Sequence, residues 1–270
     1  MSWKVNERGL VLIGCGRMGG ALLDGWLASG IYPSAVHVVD PFPRAELREL
    51  GVNVGGKLPH APAVVVIAVK PQSLDTIAEK LPTIGKDTLV LSVVAGITLS
   101  SWEAFFPHSP IVRAMPNTPA MIRQGITAIT GNDKAERQDV ALALEVMEAV
   151  GDVVELNEEA QIDAVTALSG SGPAYVFHMI ESMAAAGQAE GLPLEIALDL
   201  AKKTVAGSSM LAIETNESLI DLRQGVTSPN GTTAAGLDQL MSPEQGLSSL
   251  ISRTISAAAN RSRELARGQT

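Results

Sequence analysis

The chain has 270 residues, 46% hydrophobic and 18% charged, enough for a buried core and unlike the composition of disordered chains. Twenty Lys and Arg stand against 29 Asp and Glu, a net charge of −9 with no basic run, which argues against a nucleic-acid or anionic-membrane partner. A single cysteine, Cys15, excludes an internal disulfide and a cysteine-based zinc site, and the four histidines lack ligand spacing, so no metal is expected. The opening residues MSWKVNER lack the apolar core of a signal peptide, and the longest apolar runs are strand-length, so a cytoplasmic protein with no membrane span is expected.

From Gly9 to about Leu156, short β-branched runs alternate with helical stretches. Strands are predicted at 10–13, 36–39, 63–69, 88–94, 111–114, 126–130 and 152–156, with a long helical stretch at 134–150 between the last two. Several runs are apolar at every position, the mark of a strand buried on both faces in a parallel sheet covered by helices. A helix from Met18 stops at Gly30, and another is predicted from Pro41 to Leu50. Residues 1–157 therefore read as an α/β, Rossmann-like doubly wound domain.

From about Glu158 the β-branched runs disappear. Long apolar helices are predicted at 175–188, 194–212 and 245–267, with Gly172 as N-cap and Pro173 opening the first. Helices this apolar need cover on more than one side, and about 110 residues supply little of it, so residues 158–270 are expected to be all-helical and to pack against a second subunit.

The first predicted strand–helix turn reads Gly14-Cys15-Gly16-Arg17-Met18-Gly19. Gly14 permits the tight turn, Gly16 lets backbone approach a pyrophosphate, and Gly19 lets helix pack on strand. The helix N-terminus adds unpaired N–H groups and a positive dipole end. Asp40, 21 residues after Gly19, is placed to hold an adenosine 2′-hydroxyl and repel a 2′-phosphate, or else to cap the following helix. Arg44 stands within reach of a 2′-phosphate, so the choice between NAD and NADP stays open. Cys15 reads either as a small filler or as a thiol activated by the helix end.

Further on, Ala68-Val69-Lys70-Pro71 ends the third long strand at the carboxyl edge of the sheet, where ligands of such folds bind. Lys70 suits a cofactor ribose or a carboxylate, and equally a solvated loop. Arg113-Ala114-Met115-Pro116-Asn117-Thr118-Pro119 and Ser169-Gly170-Ser171-Gly172-Pro173-Ala174 follow. Last comes Ser228-Pro229-Asn230-Gly231-Thr232-Thr233, a turn entering a helix, whose first N–H groups suit a carboxylate and whose threonines either cap the helix or face a ligand.

Together, in this order and spacing, these segments resemble the pyrroline-5-carboxylate reductase family nearly end to end. The resemblance implies an N-terminal Rossmann domain, an all-helical C-terminal dimerisation domain, a homodimer and a further association of dimers into a decamer. It implies reduction of 1-pyrroline-5-carboxylate, the small-molecule substrate, to L-proline by NADPH or NADH. Carried over by position, Ile13, Gly14, Cys15, Gly16, Arg17 and Met18, with Ala68, Val69, Lys70, Pro71 and Ala95, would hold the cofactor. Ser228, Gly231, Thr232 and Thr233 would form the substrate loop. Asn230 stands where the family carries glycine, a place where Asn tolerates positive φ. Two rivals are a reductase for another cyclic imine or a β-hydroxyacid, using Lys202 or Lys203 as acid, and a non-enzymatic dinucleotide-binding protein.

Overall fold

The computed structural model describes residues 3–73 and 84–267. These divide into two compact units, one running to Gly170 and resumed from Ala259, the other spanning Ser171–Ala258. The sequence places its boundary 13 residues earlier than Gly170 and lacks the return of the C-terminal segment.

The first unit holds an eight-stranded sheet among the described residues. Its strands are β1 (Leu10–Ile13), β2 (Val36–Val39), β3 (Asn53–Val54), β4 (Val64–Ile67), β5 (Leu89–Ser92), β6 (Ile111–Met115), β7 (Gly125–Gly131) and β8 (Gly151–Glu155). The spatial order is β3-β2-β1-β4-β5-β6-β7-β8, parallel throughout except where β7 runs antiparallel to β6. Alternate residues of each strand feed opposite cores. Leu10, Leu12, Val36, Val38, Val64 and Val66 join one cluster, and Val11, Ile13, Val65, Ile67 and Val90 the other. The continuous apolar runs thus do what a doubly covered parallel sheet requires.

The first core is closed by α2 (Arg17–Ala28), which follows α1 (Trp3–Arg8) and buries Leu22, Leu23 and Trp26. The second receives Leu99 and Trp102 from α3 (Leu99–Phe105). The helix α4 (Arg137–Glu148) returns to the first core with Leu142, Ala143, Val146 and Met147, and Trp26 Nε1 donates to the Val146 carbonyl at 2.8 Å.

Two local expectations need correction. No α-helix follows Asp40: only a single 3-10 turn, Ala45–Leu47, forms there. Instead Asp40 Oδ1 accepts from its own Phe42 N–H at 2.7 Å, an Asx turn that competes with helix initiation. At the far end of the unit, the helix expected to open at Pro173 with Gly172 as its N-cap begins one residue earlier, at Gly172, with Ser171 as N-cap after a π-helical turn, Thr166–Gly170.

The second unit is helical: α6 (Gly172–Ala189), α7 (Leu194–Glu214), α8 (Leu219–Gly225), α9 (Thr232–Leu240) and the start of α10 (Leu247–Ala266), the short α5 (Ile162–Val165) lying before it in the first unit. Its buried core is slight, with Ala184, Ala197 and Ala201 packed against Ile180 and Leu198. Phe177, Met183, Leu200, Leu211 and Ile220 are exposed. Exposed apolar side chains in this number are the surface of helices built to be covered by another chain. No described helix is long and apolar enough to cross a membrane.

Candidate functional site

β1 lies between β2 and β4, so the chain leaves it in opposite directions across the sheet, the switch point at which open α/β sheets bind ligands beyond their carboxyl ends. Two backbone–backbone hydrogen bonds and one from backbone to a side chain stitch that point. Gly14 N–H donates to the Val39 carbonyl at 2.9 Å, Ala68 N–H to the Ile13 carbonyl at 2.8 Å, and Cys15 N–H to Asp40 Oδ2 at 2.6 Å. Asp40 is therefore the acidic end of β2 facing the glycine turn.

Gly14 sits at φ +88°, and a Cβ there would stand 2.7 Å from the Ala68 carbonyl oxygen. A Cβ on Gly19 would run into the Gly14 carbonyl oxygen, so these two glycines are needed for the chain to close on itself. Gly16 differs: beyond Gly16 itself and its two chain neighbours, no atom of the described residues lies within 4 Å of its Cβ position. It caps α2 without a side-chain partner, leaving the first N–H groups of a twelve-residue helix facing that opening. A turn closed by two glycines and opened by the third fits the pyrophosphate of a dinucleotide.

The other expected cofactor residues gather on the same edge of the sheet. Ala68 and Val69 follow β4, Lys70 is exposed, and Pro71 opens a 3-10 turn in which Ser73 N–H returns to the Lys70 carbonyl at 2.9 Å. Ala95 is exposed just past β5, the strand paired with β4. Arg17 is exposed at the first position of α2, with Met18 half-buried behind it. The Cys15 thiol is buried, and burial pushes its pKa up, with the nearby Arg44 cation opposing that shift and Asp40 adding to it. A raised pKa keeps it a thiol, which fits the filler reading.

The Met115-to-Pro119 loop is anchored through Asn117. Asn117 is buried and its Oδ1 accepts from Ile126 N–H at 3.0 Å, tying the loop to β7. Arg113, 5% exposed, pairs through Nη1 with Glu159 Oε1 at 2.7 Å, and the same oxygen accepts from Leu99 N–H at 2.8 Å at the start of α3.

In the second unit, Ser228-Pro229-Asn230-Gly231 closes with Gly231 N–H donating to the Ser228 carbonyl at 3.0 Å, with Asn230 at φ +59°. Proline at the second place and positive φ at the third make the pattern of a type II turn. Asn230 keeps the conformation that glycine would otherwise supply. Gly231 then caps α9, and Ser228, Thr232 and Thr233 are exposed at its N-terminus with no side-chain cap bond at Gly231.

Sequence reasoning missed two residues. Glu159 gives no motif signal. Asp24 does carry one: it is the lone acid of α2, eight residues beyond Gly16 and so on the same stripe of the helix. It pairs with Arg44, and that hydrogen bonding raises the Arg44 pKa further. Among the described residues, no cluster of three or more His, Cys, Asp or Glu has the arrangement of a metal site.

Comparison with known proteins gives these features a context. Residues 159–265 match the model for pyrroline-5-carboxylate reductase dimerisation, and residues 10–96 match a model described as NADP oxidoreductase, coenzyme F420-dependent. A solved pyrroline-5-carboxylate reductase from Coxiella burnetii is 35% identical with a TM-score of 0.87, covering 96% of this chain and 98% of that one. A Plasmodium falciparum pyrroline carboxylate reductase with NADP bound is 25% identical with a TM-score of 0.83, covering 97% and 99%. The pyrroline-5-carboxylate reductase of Pseudomonas aeruginosa is 37% identical over 265 residues, 95% of this chain and 96% of that protein. With both units matched in one continuous stretch, this chain belongs to the pyrroline-5-carboxylate reductase family.

Proposed function

We propose that the protein reduces 1-pyrroline-5-carboxylate to L-proline, with NAD(P)H as reductant. The observation that carries the reading is the continuity of the match: one stretch of 265 residues, 37% identical to a pyrroline-5-carboxylate reductase, spans both the glycine cradle and the Ser228–Thr233 turn. In this reading Gly14 to Met18 hold the pyrophosphate, Asp40 the adenosine ribose, and Ala68 to Pro71 with Ala95 line the cofactor's path along the sheet edge. NAD(P)H, when bound, supplies a hydride to the imine carbon, and the ring nitrogen takes or keeps a proton to become the secondary amine.

The protein's part is placement and exclusion of water, since a protonated imine is already electrophilic. The N–H groups at the start of α9 receive the substrate carboxylate without a cationic side chain. Thr233 hydrogen-bonds the ring nitrogen and fixes the face offered for reduction; its hydroxyl is an orienting group, far too weak an acid to protonate the imine. The exposed apolar helices of the second unit associate with a second copy, and dimers of this kind build the larger assembly.

The β-hydroxyacid alternative loses support at one of its two candidate acids, Lys203. Lys203 Nζ pairs with Asp199 at 2.8 Å, one turn away on α7, with both side chains well exposed, an ordinary solvated helix face. Oxidation of NADH and NADPH by the purified protein, with pyrroline-5-carboxylate against a panel of β-hydroxyacids run in the reverse direction, decides. Turnover confined to the imine supports the reading, and turnover confined to a hydroxyacid, or none with either, refutes it.

A further inference from the structure

Arg44 stands four residues past Asp40, near enough in sequence to serve the adenosine end of a dinucleotide, yet its guanidinium is already committed. Nη1 and Nη2 donate to Asp24 Oδ2 and Oδ1 at 3.0 and 2.6 Å, the two-pronged geometry that makes arginine–carboxylate pairs directional. The pair walls a cavity of about 210 Å³ whose helical side is Gly16, Arg17, Gly20 and Ala21. Gly16, Gly20 and Asp24 follow one another at four-residue steps along α2, so Asp24 lies about 12 Å along the helix from the open glycine. The third guanidinium nitrogen, Nε, is buried without a hydrogen-bond partner among the described residues, with Glu46 Oε1 3.6 Å away. A buried orphan donor is costly, and it marks this arginine as one whose bonding is incomplete in the state described.

The two dinucleotides make different demands on this arrangement. An adenosine 2′-phosphate brings between about −1.5 and −2 charges and three acceptor oxygens, and its natural partner is an arginine fork. Here it must first displace Asp24 from that fork, and it meets the carboxylates of Asp40 and Glu46 as it does so. A 2′-hydroxyl asks nothing of Arg44 and is served by Asp40 alone. We infer that Asp24 is a specificity-determining residue, which holds Arg44 against α2, withholds its guanidinium from an adenosine 2′-phosphate, and so tilts cofactor selection toward NADH.

The inference rests on the first unit binding a dinucleotide, and binding measurements keep the two apart. NADH and NADPH are titrated by calorimetry, without substrate, into the full-length protein and into Asp24→Ala, Arg44→Ala and the double variant. The Asp24 side chain is more than half exposed and alanine is the best helix former, so Asp24→Ala keeps the fold, which thermal melting verifies. The unaltered protein binds NADH more tightly than NADPH. Asp24→Ala moves the ratio of dissociation constants toward NADPH by about tenfold or more, the worth of a released charge-assisted fork. The double variant loses that gain. Arg44→Ala alone leaves the ratio within about twofold, because a withheld guanidinium contributes nothing to lose. A ratio unmoved by Asp24→Ala, or a tenfold loss of NADPH affinity from Arg44→Ala alone, overturns the latch while NADH binding leaves the dinucleotide reading standing. Failure of the unaltered protein to bind either cofactor overturns both.

Discussion

Replacing Gly14 by Ala and Gly16 by Val separates the fold from the cofactor site within a single turn. At Gly14 the φ of +88° costs any residue with a Cβ about 1–2 kcal/mol. The added carbon would also stand 2.7 Å from the Ala68 carbonyl oxygen and 2.8 Å from Val69 Cγ1, which forces β1 and β4 apart where they are stitched and costs roughly 1–3 kcal/mol more. Gly14→Ala should therefore lower Tm by roughly 5–20 °C for a unit of this size. At Gly16 the φ is an ordinary −72° and a Cβ meets nothing, so Gly16→Val costs the fold only the weaker helix cap, about 0.5–1 kcal/mol. If the valine keeps a pyrophosphate from two of the N–H groups at the start of α2, each worth about 1.5–3 kcal/mol, the NADH dissociation constant rises by roughly 10²- to 10⁴-fold. Differential scanning calorimetry and a tryptophan-fluorescence titration on the same preparations test both arms. An unchanged NADH titration for Gly16→Val, or a melting loss equal to that of Gly14→Ala, refutes the assignment of the opening to the cofactor.

Three other perturbations follow from the geometry. Thr233→Ala removes the hydroxyl and keeps the backbone donors of α9, so kcat/KM for the imine should fall roughly 10- to 150-fold with cofactor affinity unmoved, and an efficiency within twofold of the original removes Thr233 from the site. Glu159→Gln leaves the Arg113 charge buried and uncompensated at the junction of β6 and α3, and denaturant unfolding should register about 2–4 kcal/mol of lost stability, less than a fully buried pair would show because Glu159 is partly exposed; a loss below about 0.5 kcal/mol contradicts a clasp there. His37, on β2 with Nδ1 buried and without a hydrogen-bond partner among the described residues, has its pKa lowered by burial below the usual value of about 6.5. The unfolded chain then binds the extra proton first, so this group's contribution to stability declines as pH falls below about 6.5, and His37→Val should flatten that acid slope in pH-dependent melting.

The parts of the fold legible in the sequence are those that composition dictates residue by residue. Runs such as Val64–Ile67 are apolar throughout because both their faces are buried, and no partner need be known to read them. The glycine cradle is legible for the same reason, since positive φ and close approach are demands on one residue at a time. The turn at Ser228 shows it again, where Asn230 stands in for a glycine. β3 escaped because two half-buried residues, Asn53 and Val54, carry no period. The helix expected after Asp40 failed because an aspartate's carboxylate can choose between capping a helix and accepting from distant backbone, and here Cys15 N–H, 25 residues earlier, and the nearby Phe42 N–H take it.

Pairings between charges are the information that patterns lack. Arg44 reads from the sequence as a group within reach of a 2′-phosphate, but its pairing with Asp24, 20 residues away, does not show there, and neither does that of Arg113 with Glu159 across 46 residues. Periodicity reports which face of an element is buried, but a salt bridge depends on how two elements are set against one another by the sheet between them. The stripe Gly16-Gly20-Asp24 is set by α2, and the place of Arg44 by β2 lying next to β1 in the sheet order. Whether Arg44 is free for a phosphate is thus decided by topology, two steps removed from any motif. For that reason the glycine signature, which the sequence states openly, predicts that a dinucleotide binds, while the choice between the two dinucleotides has to be read from the pair.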